Sequence, residues 1–170
     1  TATSKTVQEN IDNYFTIDNE TSESQALTPY AYGSEIRAEY GEAITVSGLT
    51  EGSADFPSMS KAFKAIDADG KLKKSGSLYT GVYTVTLNTD IMSDTTTLPM
   101  YAEKITITGA DTVKTLSFNT RQISQRVNVV LNNINVFGTA NASSEINWSA
   151  GARNLTLTDV DGLLNVSGSR

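Results

Sequence analysis

Four short strand cores recur after Tyr83, and they constrain this chain more than any other feature. Val85-Thr86-Leu87, Ile105-Thr106-Ile107, Val129-Val130-Leu131 and Leu155-Thr156-Leu157 begin at positions 85, 105, 129 and 155, a near-regular spacing. Between them lie secondary apolar pairs with one residue between the partners: Leu116 with Phe118, Ile134 with Val136, Ile146 with Trp148 and Leu164 with Val166. Each repeat thus holds at least two segments with a period of two, separated by turn signals at Thr108-Gly109, Phe137-Gly138 and Asp161-Gly162. Strand-and-turn units at this spacing predict a mainly β chain, a parallel β-solenoid. A single coil cannot bury its inner face, and the next coil, about 4.8 Å away, pairs its backbone and covers that face.

Upstream the pattern changes. Phe56, Met59, Phe63 and Ile66 recur at helical spacing, which predicts an amphipathic helix over residues 55–68, with Asp55 as N-cap, Pro57 in the first turn and a stop at Asp69-Gly70. Val7, Ile11, Tyr14 and Phe15 mark a shorter helix over residues 6–15, and residues 17–29 read as a polar linker. Residues 34–49 alternate through Ile36, Ala38, Tyr40, Ile44 and Val46, as two strands with a turn at Gly41-Glu42 would. The expected organisation is an N-terminal helix, loop and strands over residues 1–50, a capping helix and connection over 51–82, and coils over 83–170.

Composition narrows the function. The 170 residues carry a net charge of −6 with only 13 Lys and Arg, so the basic stripe of a nucleic-acid binder is missing. No apolar run approaches the roughly 20 residues of a spanning helix, so no membrane span is expected. The sequence contains neither Cys nor His, which removes disulfides, thiolate and imidazole metal sites, and the usual base of nucleophilic hydrolases. Asp67-Ala68-Asp69-Gly70 and Asp159-Val160-Asp161-Gly162 match a fragment of a calcium loop but lack its remaining ligands, and they are read as turns. No metal site or cofactor is expected; calcium stays open, unsupported by a complete loop.

The segments from Tyr83 to Ile91, from Lys104 to Gly109 and from Val129 to Val136 resemble the opening coils of right-handed parallel β-helix proteins of the pectin-lyase-like superfamily. In that family a helix caps the first coil, as residues 55–68 would here. The resemblance covers roughly residues 55–170 and implies architecture more than activity, because such helices serve as lyases, tailspikes and adhesins alike. The lyases place aspartate calcium ligands and a basic residue on one sheet; Arg121, Arg126 and Arg153 are present, without clustered carboxylates beside them. A second, diluted resemblance, through Ala65 to Lys71, Gly81 to Val85, Leu98 to Tyr101 and Arg126 to Val129, is to Bacteroidales fimbrillin-type pilins, which implies an antiparallel β-sandwich and a fimbrial subunit.

Among candidate sites, Tyr83, Tyr101 and Trp148 are the aromatics suited to stacking on sugar rings, although Trp148 shares the inward phase of Ile146. Asn128, Asn132, Asn133, Asn135, Asn141, Asn147, Asn154 and Asn165 form a run that suits stacked amide ladders at turns. The Asn-x-Ser/Thr triplets at Asn19, Asn141, Asn147, Asn154 and Asn165 need no function in so Asn-, Ser- and Thr-rich a chain. Glu35, Glu39, Glu42, Asp90 and Asp94 read as solvated charges. The expected function is that of a non-enzymatic module at the cell surface or outside the cell, an adhesin or stalk binding polysaccharide or a host surface. The alternatives are a fimbrial subunit and the N-terminal part of a polysaccharide lyase. With no closing element after Leu164 and Val166, the expected stack either continues in a longer protein or self-associates through its open end.

Overall fold

The computed structural model describes residues 43–139 and 144–168. The expected helix over 6–15, the linker over 17–29, the first strand of 34–49, and Asn19, Glu35, Glu39, Glu42 and Asn141 lie outside the described residues. The described chain is mainly β, with stacked parallel coils forming a solenoid of about three turns and a single short helix. The antiparallel sandwich implied by the fimbrillin resemblance is therefore corrected: every pairing between coils is parallel.

Three faces make up each coil. On the first, β5 (Val82–Leu87), β7 (Lys104–Thr108), the first half of β10 (Asn128–Phe137) and the first half of β12 (Leu155–Gly162) stack in register. The second face stacks β6 (Ile91–Ser93), β8 (Lys114–Phe118) and the later halves of β10 and β12. The third stacks β9 (Gln122–Ser124), β11 (Ile146–Ser149) and β13 (Leu164–Ser167). Period-two alternation sends every second residue inward, so Tyr83, Ile105, Val129 and Leu155 form one column and Val85, Ile107, Leu131 and Leu157 the next. Burying each Val, Ile or Leu contributes about 1.5–3 kcal/mol. Outward, Thr84, Thr106, Val130 and Thr156 line up on a β-branched face, as a pleated surface favours.

The register corrects the first spacing. Val85 pairs with Ile107 and not with Ile105, so the first step is longer than the strand cores suggest. Tyr83 occupies the position in the first coil that Ile105 occupies in the second. Corners absorb the remaining differences in length. Asn132 lies against Thr108 and Ile134 against Lys114, so residues 109–113 of the second coil fill the corner that Asn133 fills alone in the third. In the third and fourth coils this corner is a single residue in the left-handed region, Asn133 at φ 56° and Asp159 at φ 50°. Asn and Asp tolerate that conformation better than other side chains.

Ahead of the coils, β1 (Ile44–Leu49) pairs antiparallel with β5 and with β2 (Gly52–Phe56), which joins residues 44–49 to the solenoid sheet. The helix α1 (Met59–Gly70) buries Met59, Ala62, Phe63 and Ile66 against β1 and β2. Its N-cap is Ser58, whose hydroxyl accepts from the Lys61 N–H, and not the expected Asp55. Pro57 explains the shift, because the residue before a proline is driven to extended backbone; Phe56 and Asp55 accordingly belong to β2, where Asp55 accepts from the Thr45 hydroxyl at 2.8 Å. The helix also runs through Asp69-Gly70, so Asp67-Ala68-Asp69-Gly70 is its last helical turn and not the expected chain turn that stops it.

Side chains from α1 tie it to the first coil. Asp67 accepts from the backbone N–H groups of Met100 and Tyr101, and Asp94 accepts from both the N–H and the hydroxyl of Ser60. Gly70 lies so close to the Tyr101 carbonyl that an added Cβ would collide with its oxygen. Gly70→Ala is expected to destabilise the chain by about 1–3 kcal/mol through overpacking, read as a lower denaturation midpoint. Wild-type stability in this variant would show that the helix does not seat on the residue 94–101 segment.

Candidate ligand-binding groove

Two adjoining cavities, of about 360 and 420 Å³, share Met100 and Arg126 and form a groove along one corner of the solenoid. Its first part opens onto the outer side of face three, beside Thr97, Gln122 and Ser124. The second part runs under the hairpin of β3 (Lys74–Ser75) and β4 (Leu78–Tyr79), where Tyr79, Glu103, Asn128 and Arg153 line it. Arg126 and Arg153 reach the same groove because their separation along the chain is close to one coil step, that from Val129 to its partner Leu155. Both are exposed, and among the described residues neither has a carboxylate within ion-pair distance. Glu103 is the acidic residue on the lining, so the groove is locally cationic on a chain of net charge −6.

Asparagine side-chain amides tie the coils together at the groove and beyond it. Asn128 donates to the Glu103 carbonyl at 3.1 Å and accepts from the Asn154 N–H at 3.1 Å, linking three successive coils. Asn165 donates to Asn147 at 3.4 Å, and Asn133 donates to the Gly109 carbonyl at 3.1 Å. These contacts are the amide ladders the asparagine run suggests. On face three they leave two outward rows, Gln122, Asn147 and Asn165 beside Ser124, Ser149 and Ser167, continuous with the groove.

The three aromatics singled out from the sequence separate. Tyr101 is half-buried and packs edge-to-face on Tyr79 at 5.2 Å, with the Lys71 ammonium 4.7 Å from its ring centre. Tyr83 and Trp148 are fully buried at inward positions of the alternation, Trp148 in the phase it shares with Ile146, so neither ring faces the groove. Trp148 packs edge-to-face on Phe118 and donates its indole N–H to Gln125 at 2.6 Å. Gln125, itself buried, donates to the Asn154 and Val127 carbonyls. Tyr79 lines the groove without a periodic signal to mark it, because its strand is too short to alternate. For Arg126 and Arg153 the near-coil separation is the signal the sequence carries.

Tyr83 instead serves the cap. Its hydroxyl donates to Asp69 at 2.7 Å, and Asp69 also accepts from the Thr50 N–H and forms an ion pair with Lys73 at 2.8 Å. Burial alone would raise the Asp69 carboxyl, but hydrogen bonds from Lys73, Thr50 and Tyr83 outweigh it and hold it well below the ordinary carboxylate range. Burial, then the hydrogen bond to Asp69, pushes the Tyr83 phenol above its ordinary range. Burial is outweighed at Asp94 too, where the Ser60 hydroxyl and N–H lower the carboxyl. Among the described residues no group of three or more acidic side chains is placed to hold a metal ion. The carboxylates of Asp67 and Asp69 are taken up by protein donors, and Asp159 to Gly162 run along β12. Comparison with protein-family models, with curated proteins and with solved structures returns no match.

Two outcomes follow from these contacts. The depressed Asp69 carboxyl contributes stability that is fully present above the unfolded value of 3.8 and is lost as pH falls below it, whereas the raised Tyr83 phenol contributes below 10.0 and is lost as pH rises beyond it. Thermal melts should therefore fall on both limbs, and Asp69→Asn should melt lower at neutral pH while losing less on acidification; an acid limb identical to wild type would contradict this. Gln125→Leu should cost about 1–3 kcal/mol, because the buried indole N–H and two carbonyls lose their partner. Chemical denaturation measures it, and an unchanged midpoint would remove Gln125 from the core.

Proposed function

We propose that this chain is a non-enzymatic solenoid module, working at a cell surface or outside the cell, that holds an acidic polysaccharide along the corner groove. The observation that carries the reading is Arg126, exposed and, among the described residues, without a carboxylate partner where the two cavities meet, with Tyr79 farther along the same groove. A planar guanidinium pairs with a carboxylate or sulfate through two parallel hydrogen bonds, and a tyrosine ring offers a sugar an apolar face with a wet polar edge. The rows of Gln, Asn and Ser on face three repeat at the coil spacing of about 4.8 Å, so successive units of a chain polymer meet similar donors and acceptors. A rigid stack with such a face suits an adhesin or stalk.

Titration calorimetry with polygalacturonate and with neutral dextran tests this. Binding to the acidic polymer should weaken with added salt, and Arg126→Ala or Tyr79→Ala should each weaken it by about tenfold, Arg126→Ala with an unchanged melting temperature and Tyr79→Ala with a small fall from the lost Tyr101 contact. Equal affinity for dextran, or full affinity in Arg126→Ala, would refute the groove as the site. Appearance of unsaturated sugar products on incubation would refute the non-enzymatic reading.

A further inference from the structure

Two outward rows on face one are built almost entirely of hydroxyl side chains. Strand register places Ser47, Thr84, Thr106, Val130 and Thr156 in one row and Thr45, Thr86, Thr108, Asn132 and Thr158 in the next. Neither row holds a charged or an aromatic side chain, so this face lacks the groups that grip an anionic polymer or stack on a sugar ring. Thr84, Thr86 and Thr106 are half-buried and Thr156 and Thr158 exposed, and among the described residues none of their hydroxyls has a hydrogen-bond partner. A β-branched threonine has a restricted χ1, so its hydroxyl and methyl stand at fixed points above the sheet.

Those points form a grid. Coils repeat at about 4.8 Å, and alternate residues along a strand lie about 6.6 Å apart. Ice presents a grid of similar size: with O–H···O distances of about 2.75 Å at tetrahedral angles, second-neighbour oxygens lie about 4.5 Å apart and the layers repeat at about 7.3 Å. We infer that this face binds ice, its hydroxyls holding waters at lattice positions and its methyls seating between them. The third coil interrupts the grid, because Val130 has no hydroxyl and Asn132 turns its amide onto the Thr108 hydroxyl at 3.4 Å. None of the row residues lines the corner groove, so the inference holds whatever Arg126 binds.

Growth of a single ice crystal in a dilute solution of the full chain tests it. The crystal should develop facets and show a gap between its melting and freezing points, and Thr106→Tyr should remove most of that gap by setting a ring in the middle of a row. Val130→Thr combined with Asn132→Thr should widen the gap, since it completes both rows and releases the Thr108 hydroxyl, a gain that a merely structural face would not give. Arg126→Ala should leave the gap unchanged, and circular dichroism confirms that each variant is folded. An unfaceted crystal without a gap in the wild-type chain, an unchanged gap in folded Thr106→Tyr, or loss of the gap in Arg126→Ala would overturn the inference.

Discussion

Backbone pairing between successive coils, held in one register by inward apolar columns, is the constraint on which the rest of this structure depends. Slipping any coil by one residue would turn its inward Ile, Val and Leu side chains to solvent and its threonines to the interior, so the alternation locks the stack. Loops do not need to match. The longer corner of the second coil, over residues 109–113, and the single left-handed Asn133 and Asp159 of the next two occupy the same place without disturbing the faces on either side.

The same constraint makes the cap necessary. A first coil has no predecessor, and its interior is closed by β1 running antiparallel on β5 and by the apolar side of α1. Polar side chains then fix the helix in place: Asp67, Asp69 and the Ser60–Asp94 pair each join α1 to a neighbouring loop or strand. Tyr83 spans both roles, with its ring in the first inward column and its hydroxyl on Asp69. That double role also explains why it stands where later coils carry Ile105, Val129 and Leu155.

The architecture is legible in the sequence because period-two alternation and coil-length repetition are local patterns that tertiary packing reinforces. The first coil step is misleading for a definite reason. Val-Thr-Leu looks most like Ile-Thr-Ile, yet Tyr83 is also an inward residue, and an aromatic with a polar tip does not announce itself as a strand core. Asp55 looks like an N-cap until Pro57 is considered, since the proline holds the chain extended and hands the role to Ser58. The groove is less legible. Arg126, Arg153 and Tyr79 meet only because one coil stacks on another and a short hairpin folds over the corner, and neither relation leaves a local motif. Aromatic residues alone are a poor guide, because on a strand the phase of alternation, and not the residue type, decides between interior and surface.

Contacts between methyl groups in nuclear Overhauser spectra of a selectively labelled sample read the coil register without an intermediate step. The account predicts that Ile107 contacts both Val85 and Leu131, its neighbours in the second inward column. Contact of Val85 with Ile105 in place of Ile107, or an absence of contact between Ile107 and Leu131, would contradict it.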